Sequence, residues 1–315
     1  MSARELLVVD TTGRSNYAPE ALAQLEGLQV RFEPRKAVEE DAVIEAGRDA
    51  DALLVTAAYV TRRVMETLRP KLRAVVRYGV GLDRIDLDAA RELGVDVRNC
   101  RDFCTDEVAD QTLALVMALS RRVVRYALET RSGGWGRVGE GPLVRLSGKR
   151  AGVIGFGAIG QAVARRLQGV GMEVVTHDPF VDEATAREHG VTLASLEDLL
   201  AKAHVICVNC PLTDETRGLI STEQFALMAP GALIVNTARG GIIDEDALAA
   251  ALREGRIAGA GLDVLEQEPP PADHPLLAMD NVIITPHMAA SSVEAMAELV
   301  VGVFRELGDA LRRNP

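Results

Sequence analysis

Three glycines within six residues have the spacing of a phosphate-binding turn. Gly155, Gly157 and Gly160 form the pattern G-x-G-x-x-G directly after the apolar run Ala151–Ile154, and Gln161–Gln168 continues with helical spacing. In such a strand–turn–helix unit the first glycine permits the tight turn, the second lets the backbone approach a pyrophosphate, and the third allows close packing of helix on strand. Phosphates bind at the helix N-terminus, where free N–H groups and the helix dipole favour negative charge. The pattern therefore predicts a dinucleotide site.

An acidic residue follows at the distance expected for ribose recognition. A second strand is predicted over Glu173–Thr176, and Asp178 comes after it, about 20 residues beyond Gly160. A carboxylate at this place accepts hydrogen bonds from the adenosine ribose hydroxyls. Pro179 and Phe180 follow, with no nearby arginine to receive a 2′-phosphate, so NAD is predicted in preference to NADP.

Three longer motifs lie in the second half of the chain. They are N-T-A-R-G-G with Arg239, D-V-L-E-Q-E-P with Glu268, and T-P-H with His287. The first leaves a predicted strand and presents Arg239 at its carboxyl end, where open α/β sheets bind ligands. Taken alone, the three residues could be a surface ion-pair partner, a solvated acid and a hydrogen-bonded loop histidine. Their occurrence together and in this order favours a catalytic set.

With these motifs the chain resembles the D-isomer-specific 2-hydroxyacid dehydrogenases, from Arg77 to the helix after His287. The resemblance implies that His287 is the general base, and the acid in the reverse direction, because imidazole titrates near neutral pH. Glu268 would orient the imidazole and stabilise its protonated form. Arg239 would bind the substrate carboxylate and polarise the carbonyl oxygen with its planar set of donors.

The same resemblance implies a substrate loop near the end of the first domain. Its residues Tyr78, Gly79 and Val80, followed by Gly81, would donate backbone N–H groups to the substrate carboxylate, because glycines permit close approach. The implied substrate-binding set is therefore Tyr78, Gly79, Val80, Arg239 and His287.

The resemblance also extends the NAD-binding set beyond the glycine turn. Thr237, Ala238 and Asp263 would face the nicotinamide end, and Cys210 and Pro211 would line the adenosine side. The complete implied set is Gly155, Gly157, Ala158, Ile159, Gly160, Asp178, Cys210, Pro211, Thr216, Thr237, Ala238, Arg239, Asp263, His287 and Ala290.

The elements that position these residues are short apolar runs alternating with amphipathic segments, which is the rhythm of βαβ units. Strands are predicted at Leu6–Val9, Val30–Phe32, Leu53–Val55, Ala74–Val76, Val95–Arg98, Ala151–Ile154, Glu173–Thr176, Val205–Asn209, Ala232–Asn236, Gly259–Leu262 and Val282–Ile284. Helices are predicted at Pro19–Leu25, Ala37–Ala46, Asp106–Arg131 and Ser291–Arg312.

The predicted fold class is α/β, with two Rossmann-like parallel-sheet domains and a cleft between them. The resemblance implies a discontinuous, flavodoxin-like substrate domain, residues 1–99 and 288–315, and an NAD-binding Rossmann domain, residues 100–287. Closure of the two domains would exclude water from the site. Family members usually dimerise through the cofactor domains, so a homodimer is expected, with the loop around Trp135 near the interface.

Composition excludes several other classes of protein. The formal net charge is −11, which repels nucleic-acid phosphates and acidic membranes, so neither is an expected partner. The four arginines from Arg121 to Arg131 are interpreted as one exposed helix face. No signal peptide and no apolar stretch of about 20 residues is found, so we expect a cytoplasmic protein.

The cysteines could indicate a metal or redox site, because Cys207 and Cys210 form a C-x-x-C. However, Cys207 lies inside the apolar run Val205–Val208, and no second Cys/His pair has zinc spacing. Reduced thiols in or beside a buried strand are therefore expected, and no metal is predicted.

The substrate is left open within small 2-hydroxy and 2-oxo acids. In phosphoglycerate dehydrogenases an arginine and a lysine typically stand in the loop that matches residues 54–61, which has neither here. A phosphorylated substrate is therefore disfavoured, and we expect no regulatory domain after the last helix. The segments around Cys104 and Tyr78 resemble the branch of the C-terminal binding proteins, some of which are NAD(H)-sensing corepressors. An NAD(H)-sensing regulator is thus the alternative to a dehydrogenase, although it would not need the acid–base set.

Overall fold

The computed structural model describes residues 4–136 and 143–313 of the chain. The chain divides into two units, which are Met1–Cys104 with Ser292–Pro315 (unit 1) and Thr105–Ser291 (unit 2). Each unit has its own parallel sheet and its own buried apolar clusters.

Unit 1 is built on a five-stranded parallel sheet in the order β2-β1-β3-β4-β5. This is the flavodoxin-like order, whose switch point lies between β1 and β3. The strands are β1 (Leu6–Asp10), β2 (Val30–Pro34), β3 (Ala52–Val55), β4 (Ala74–Arg77) and β5 (Asp96–Asn99). The helices are α1 (Pro19–Leu22), α2 (Glu40–Ala46), α3 (Arg62–Leu68), α4 (Leu87–Leu93) and α12 (Val293–Arg313), and a 3₁₀ turn covers Ala23–Leu25.

Unit 2 contains a seven-stranded parallel sheet in the order β12-β11-β10-β9-β6-β7-β8. The strands are β6 (Arg150–Ile154), β7 (Glu173–His177), β8 (Thr192–Leu193), β9 (Val205–Val208), β10 (Leu233–Asn236), β11 (Gly259–Leu262) and β12 (Val282–Ile284). The helices are α5 (Thr105–Arg121), α6 (Val123–Arg131), α7 (Ala158–Gly169), α8 (Glu183–Glu188), α9 (Leu196–Lys202), α10 (Thr222–Leu227) and α11 (Glu245–Arg253), with a 3₁₀ turn over Pro275–Ala278. The chain reverses its direction of sheet growth between β6 and β9, which is the Rossmann arrangement.

The predicted fold class, one flavodoxin-like and one Rossmann parallel-sheet domain, is confirmed. Inner strands such as β3 and β9 are buried and carry continuous apolar runs, as expected for sheets covered on both faces. The edge strands β2, β5, β8 and β12 are partly exposed. Glycines in β11 bring α5 close to the sheet, since a Cβ at Gly261 would lie 3.0 Å from the Cβ of Leu115. Cys207 lies fully buried in β9.

One predicted element is wrong, namely the single helix over Asp106–Arg131. The structure has two helices, α5 and α6, separated by Arg122, whose φ is +53°. A non-glycine residue enters this left-handed region at a cost of about 1–2 kcal/mol, and side-chain periodicity does not reveal it. The sequence pattern did not predict this break between α5 and α6. It also did not predict the short strand β8.

Neither a membrane-spanning helix nor a metal-binding cluster is found among the residues that the structure describes. Among residues 4–136 and 143–313, no helix is long and apolar enough to cross a membrane. Over the same ranges, no three His, Cys, Asp or Glu residues are grouped so that they could hold a metal ion.

Candidate active site

The glycine turn lies at the switch point of the unit 2 sheet. Gly155 has a φ of +88°, and a Cβ there would lie 2.6 Å from the backbone nitrogen of Cys210. A Cβ at Gly160 would lie 2.1 Å from the carbonyl oxygen of Gly155, so α7 packs directly on the turn. At Gly157 no atom lies within 4 Å of the Cβ position. Neighbouring backbone atoms therefore leave no room for a side chain at Gly155 or Gly160, whereas Gly157 is open at the position where a pyrophosphate would approach. Ala158 and Ile159 begin α7 at this point.

Asp178 follows β7 and is hydrogen-bonded to the glycine turn. Its Oδ2 atom accepts a hydrogen bond from the backbone N–H of Phe156 at 2.7 Å, and its Oδ1 atom accepts one from Phe180 at 2.9 Å. Because β6 and β7 are neighbours in the sheet, this carboxylate lies beside the turn, where a ribose would be recognised.

The predicted adenosine-side residues follow β9, the strand on the other side of β6. Cys210 is buried and packs against Gly155, whereas Pro211 is exposed. Thr216 closes this loop, because its hydroxyl donates a hydrogen bond to the carbonyl of Pro211 at 2.6 Å and accepts one from the backbone N–H of Thr213 at 2.7 Å.

The segment after β10 is shaped by a buried asparagine. The Asn236 side chain accepts a hydrogen bond from the N–H of Ala238 at 3.0 Å and donates one to the carbonyl of Arg239 at 2.9 Å. Thr237 is buried, and its hydroxyl lies 2.7 Å from that of Thr112 on α5. These contacts fix a tight turn that presents the partly buried guanidinium of Arg239 at the carboxyl edge of the sheet.

His287 follows β12 in a strained backbone conformation, with a φ of +52°. The buried carboxylate of Asp263 holds this segment, because it accepts hydrogen bonds from the N–H groups of Met288 at 3.0 Å and Ala289 at 2.8 Å. The N–H of His287 donates to the carbonyl of Asp263 at 2.8 Å. Such strain persists only where surrounding contacts enforce it, and it is common at functional sites. Ala290 lies in the same turn.

The side chains of His287 and Glu268 are hydrogen-bonded to each other. The Nδ1 atom of His287 lies 2.7 Å from the Oε2 atom of Glu268, and the two side chains are 47% and 35% exposed. Partial burial acts to raise the pKa of Glu268, but the hydrogen bonds from His287 and the Leu265 N–H, together with the charges of His287 and Arg239, hold that pKa below its ordinary value. Because Nδ1 is engaged, Nε2 is the ring nitrogen left to face a substrate.

The predicted unit 2 residues therefore gather at one edge of one sheet. The glycine turn, Asp178, Cys210, Arg239 and Asp263 follow neighbouring parallel strands at their carboxyl ends, and His287 follows the edge strand β12.

The predicted substrate loop, Tyr78 to Val80, belongs to unit 1 and follows β4. Gly79 has a φ of +128°, and a Cβ there would lie 2.5 Å from a guanidinium nitrogen of Arg77. The side chain of Asn99 donates a hydrogen bond to the carbonyl of Val80. The N–H of Tyr78 donates to the carbonyl of Val55 at 2.8 Å, so this N–H does not serve the predicted contact with a substrate carboxylate, which would fall to Gly79 and Val80 after β4.

Sequence reasoning missed the carboxylate that anchors this loop. Asp10 is fully buried at the end of β1, and it accepts hydrogen bonds from the hydroxyls of Tyr78 at 3.1 Å and Tyr17 at 2.9 Å. Burial, together with the charge of Asp10, raises the pKa of both tyrosine hydroxyls. An acidic residue directly after the apolar run of β1 was the available signal.

The fold and the site define a two-unit α/β protein that binds a dinucleotide and carries a histidine–carboxylate pair beside an arginine. Residues 113–289 match the family model described as the D-isomer specific 2-hydroxyacid dehydrogenase, NAD binding domain. The chain belongs to the D-isomer-specific 2-hydroxyacid dehydrogenase family, and its predicted cofactor, NAD, is confirmed.

Individual relatives agree with this assignment. The chain is 42% identical over 274 residues to D-3-phosphoglycerate dehydrogenase of Methanocaldococcus jannaschii, covering 86% of this chain and 52% of that protein. It is also 42% identical over 266 residues to glyoxylate reductase of Korarchaeum cryptofilum, covering 82% of this chain and 80% of that protein. The crystal structure of D-lactate dehydrogenase from Aquifex aeolicus, complexed with NAD and lactic acid, superposes with a TM-score of 0.84 at 28% identity, covering 98% of this chain and 96% of that one.

The chain spans about half the length of the phosphoglycerate dehydrogenases that it matches. The resemblance to the D-2-hydroxyacid dehydrogenases is confirmed, and the relatives support a place in the phosphoglycerate dehydrogenase-like branch of that family.

Proposed function

We propose that this chain is an NAD-dependent dehydrogenase that interconverts a small D-2-hydroxy acid and its 2-oxo acid. The observation that carries the proposal is the 2.7 Å pair of His287 and Glu268 beside Arg239, on the same sheet edge as the glycine turn. A proton shuttle and a carboxylate-binding cation beside a dinucleotide turn are the parts that this reaction needs.

The residues around the glycine turn fit NAD. The open space at Gly157, the start of α7 and the carboxylate of Asp178 would hold the pyrophosphate and the adenosine ribose. Cys210, Pro211 and Thr216 would line the adenosine side, and Thr237, Ala238, Asp263 and Ala290 the nicotinamide side. When bound, NAD would supply the hydride transfer that interconverts the hydroxy acid and the oxo acid.

The protein residues would then handle the proton and the charge. In oxidation, Nε2 of His287 takes the hydroxyl proton; in reduction, it returns a proton to the carbonyl oxygen. Glu268 remains ionised, since its pKa is lowered, and it balances the positive charge that forms on the imidazole. Arg239 binds the substrate carboxylate and polarises the carbonyl.

We further propose that the substrate is small and unphosphorylated. Residues 54–61 contain no lysine or arginine. The arginine that reaches this loop, Arg84, donates a hydrogen bond to the carbonyl of Ala57 at 2.8 Å and lies 4.8 Å over the ring of Tyr59. Glyoxylate, hydroxypyruvate and pyruvate are the acids to test first, and phosphohydroxypyruvate tests the alternative suggested by the phosphoglycerate dehydrogenase relatives.

The experiment is NADH oxidation by the purified protein with this panel of acids, repeated with NADPH. Wild-type protein should turn over one class of acid, and His287→Ala should lower kcat by about 10²–10⁴-fold. His204→Gln is the matched control. His204 precedes β9 at the amino ends of the strands, whereas the site lies at their carboxyl ends, so this variant should leave kcat unchanged.

The remaining outcomes are equally informative. NADH binding without turnover of any acid would contradict the proposed activity and favour the NAD(H)-sensing regulator. Equal activity of wild-type protein and His287→Ala would contradict the role assigned to His287.

We also propose that the chain forms a homodimer through unit 2 and acts in the cytoplasm. The helix α6 has no buried residue, and Val123, Val124 and Leu128 are 54%, 42% and 60% exposed. Trp135, which follows α6, is 93% exposed. Apolar side chains grouped in this way are typical of an interaction surface.

A further inference from the structure

A second glutamate–histidine pair lies behind the loop that carries Glu268. Glu245, the first residue of α11, has its Oε2 atom 2.9 Å from Nε2 of His274. The two side chains are only 15% and 13% exposed, so this pair is far more buried than the pair of His287 and Glu268. No role in the proposed reaction has been given to either residue.

Glu245 also binds the backbone of the Glu268 loop. Its second carboxylate oxygen, Oε1, accepts a hydrogen bond from the N–H of Glu266 at 2.6 Å. Glu266 is two residues before Glu268, and the N–H of the preceding Leu265 donates to Oε1 of Glu268 at 3.1 Å. The Glu245 carboxylate is therefore connected through two successive backbone amides to the carboxylate that pairs with His287.

The same loop is in close contact with Gly240. A Cβ at Gly240 would lie 2.1 Å from the carbonyl oxygen of Leu265 and 2.5 Å from the nitrogen of Glu266. The residue before Gly240 is Arg239, so the segments that carry Arg239 and Glu268 touch backbone to backbone. Glu245 holds the loop in this contact, because it binds the same Glu266 amide that faces Gly240.

His274 keeps the Glu245 carboxylate in place. A carboxylate only accepts hydrogen bonds, so Nε2 of His274 carries the proton that joins them. The backbone of His274 is itself fixed, since its N–H donates to the carbonyl of Pro271 and its carbonyl accepts from Leu277. The side chain of Glu245 is thus held by an anchored donor and has one oxygen left for the loop.

We infer that Glu245 and His274 are positioning residues, which hold Glu268 at the distance and angle required for its pairing with His287. The inference rests on the proposed dehydrogenase function. Neither residue is expected to touch substrate or NAD; their effect passes through the Leu265–Glu268 backbone. Since a displacement of about 1 Å can cost about 10²-fold in rate, a hydrogen bond to this backbone can control catalysis.

The test compares variants of the full chain. Glu245→Ala, which removes both hydrogen bonds, should lower kcat by about 10- to 100-fold. His274→Ala should also lower kcat, whereas His274→Gln, whose amide can still donate to Glu245, should recover most of the loss. Asp246→Ala is the control, because it removes an exposed acid from the same first turn of α11 and should retain the wild-type kcat.

Two readouts separate positioning from a general loss of stability. The pH profile of kcat in Glu245→Ala should move toward that of Glu268→Gln, since both variants disturb the same acid–base pair. In the NAD-free protein, hydrogen exchange at the Glu266 amide should be faster in Glu245→Ala than in Asp246→Ala. A less stable Glu245→Ala protein with the wild-type kcat and pH profile would overturn the inference.

Failure of the proposed function would look different. In that case the wild-type protein itself would turn over none of the acids. The exchange rate at Glu266 would still report whether Glu245 anchors the loop, and an unchanged rate in Glu245→Ala would overturn the anchoring by itself.

Discussion

Glu268 lies where burial and charge act on its carboxyl group in opposite directions. Burial favours the neutral form, but the hydrogen bonds of His287 and the Leu265 N–H and the nearby positive charges favour the ionised form, and the pKa is lowered. The carboxylate therefore stays ionised at any pH near neutrality, so that its protonation does not limit the pair in the working range.

This shift predicts a pH-dependent contribution of Glu268 to stability. A carboxyl group whose pKa is lower in the folded than in the unfolded protein stabilises the fold above its unfolded pKa, and this contribution is lost as pH falls through the folded pKa. Wild-type protein should therefore exceed Glu268→Gln in free energy of unfolding at pH about 6, and the difference should shrink toward pH about 3. Urea denaturation at a series of pH values measures it. A difference that stays constant over this range would contradict the lowered pKa.

At the scale of single residues, some of the site could be predicted and some could not. Arg239, Glu268 and His287 stand in long motifs with chemically distinctive neighbours, so they could be selected from the sequence. Glu245 and His274 are 29 residues apart, and no local pattern indicates that they meet. Their pairing depends on where α11 and the Pro275–Ala278 turn pack in the folded unit, which is a tertiary property.

Among the elements, the strands were the most predictable. Runs such as Val205–Val208 are apolar at every position, which is typical of a strand covered on both faces. The break between α5 and α6 was not predictable, because Arg122 adopts its left-handed conformation without glycine or proline nearby. The apolar residues Val123, Val124 and Leu128 of α6 are exposed.

The packing of α7 on the glycine turn leads to a prediction at the scale of this element. Gly160→Ala places a methyl group against the carbonyl of Gly155, so it should cost about 1–3 kcal/mol of stability and weaken NADH binding. Gly169→Ala is the matched control at the other end of α7, where the Cβ position has no neighbour within 4 Å. That variant should gain up to about 1 kcal/mol, since alanine favours helix, and should bind NADH as wild type does.

Thermal unfolding and NADH fluorescence titration measure both effects. If Gly160→Ala bound NADH with wild-type affinity, the glycine turn would not be the pyrophosphate site. If Gly169→Ala weakened binding equally, the effect would come from the helix as a whole rather than from its contact with Gly155.

At the scale of the whole molecule, the two sheets carry different functional residues. The unit 2 sheet carries the dinucleotide turn and the proposed acid–base pair of His287 and Glu268, whereas the unit 1 sheet carries the Tyr78 loop on its buried Asp10 anchor. The division into one continuous and one discontinuous unit is encoded by the position of α12, which follows unit 2 in sequence yet packs on β4, β5 and α1 of unit 1.

The exposed face of α6 leads to the prediction about assembly. Val124 and Leu128 are one helical turn apart, so they lie on one side of α6, and Trp135 extends the same apolar chemistry beyond the helix. Leu128→Glu would place a carboxylate without a partner in an apolar contact, which is unfavourable, so this variant should weaken the dimer by about tenfold or more. Light scattering coupled to size-exclusion chromatography over a range of protein concentrations measures the change. Leu227→Glu, an exposed leucine on α10 of the same unit, is the control and should leave the dimer intact. A monomeric wild-type protein, or equal dissociation of both variants, would contradict assembly through α6.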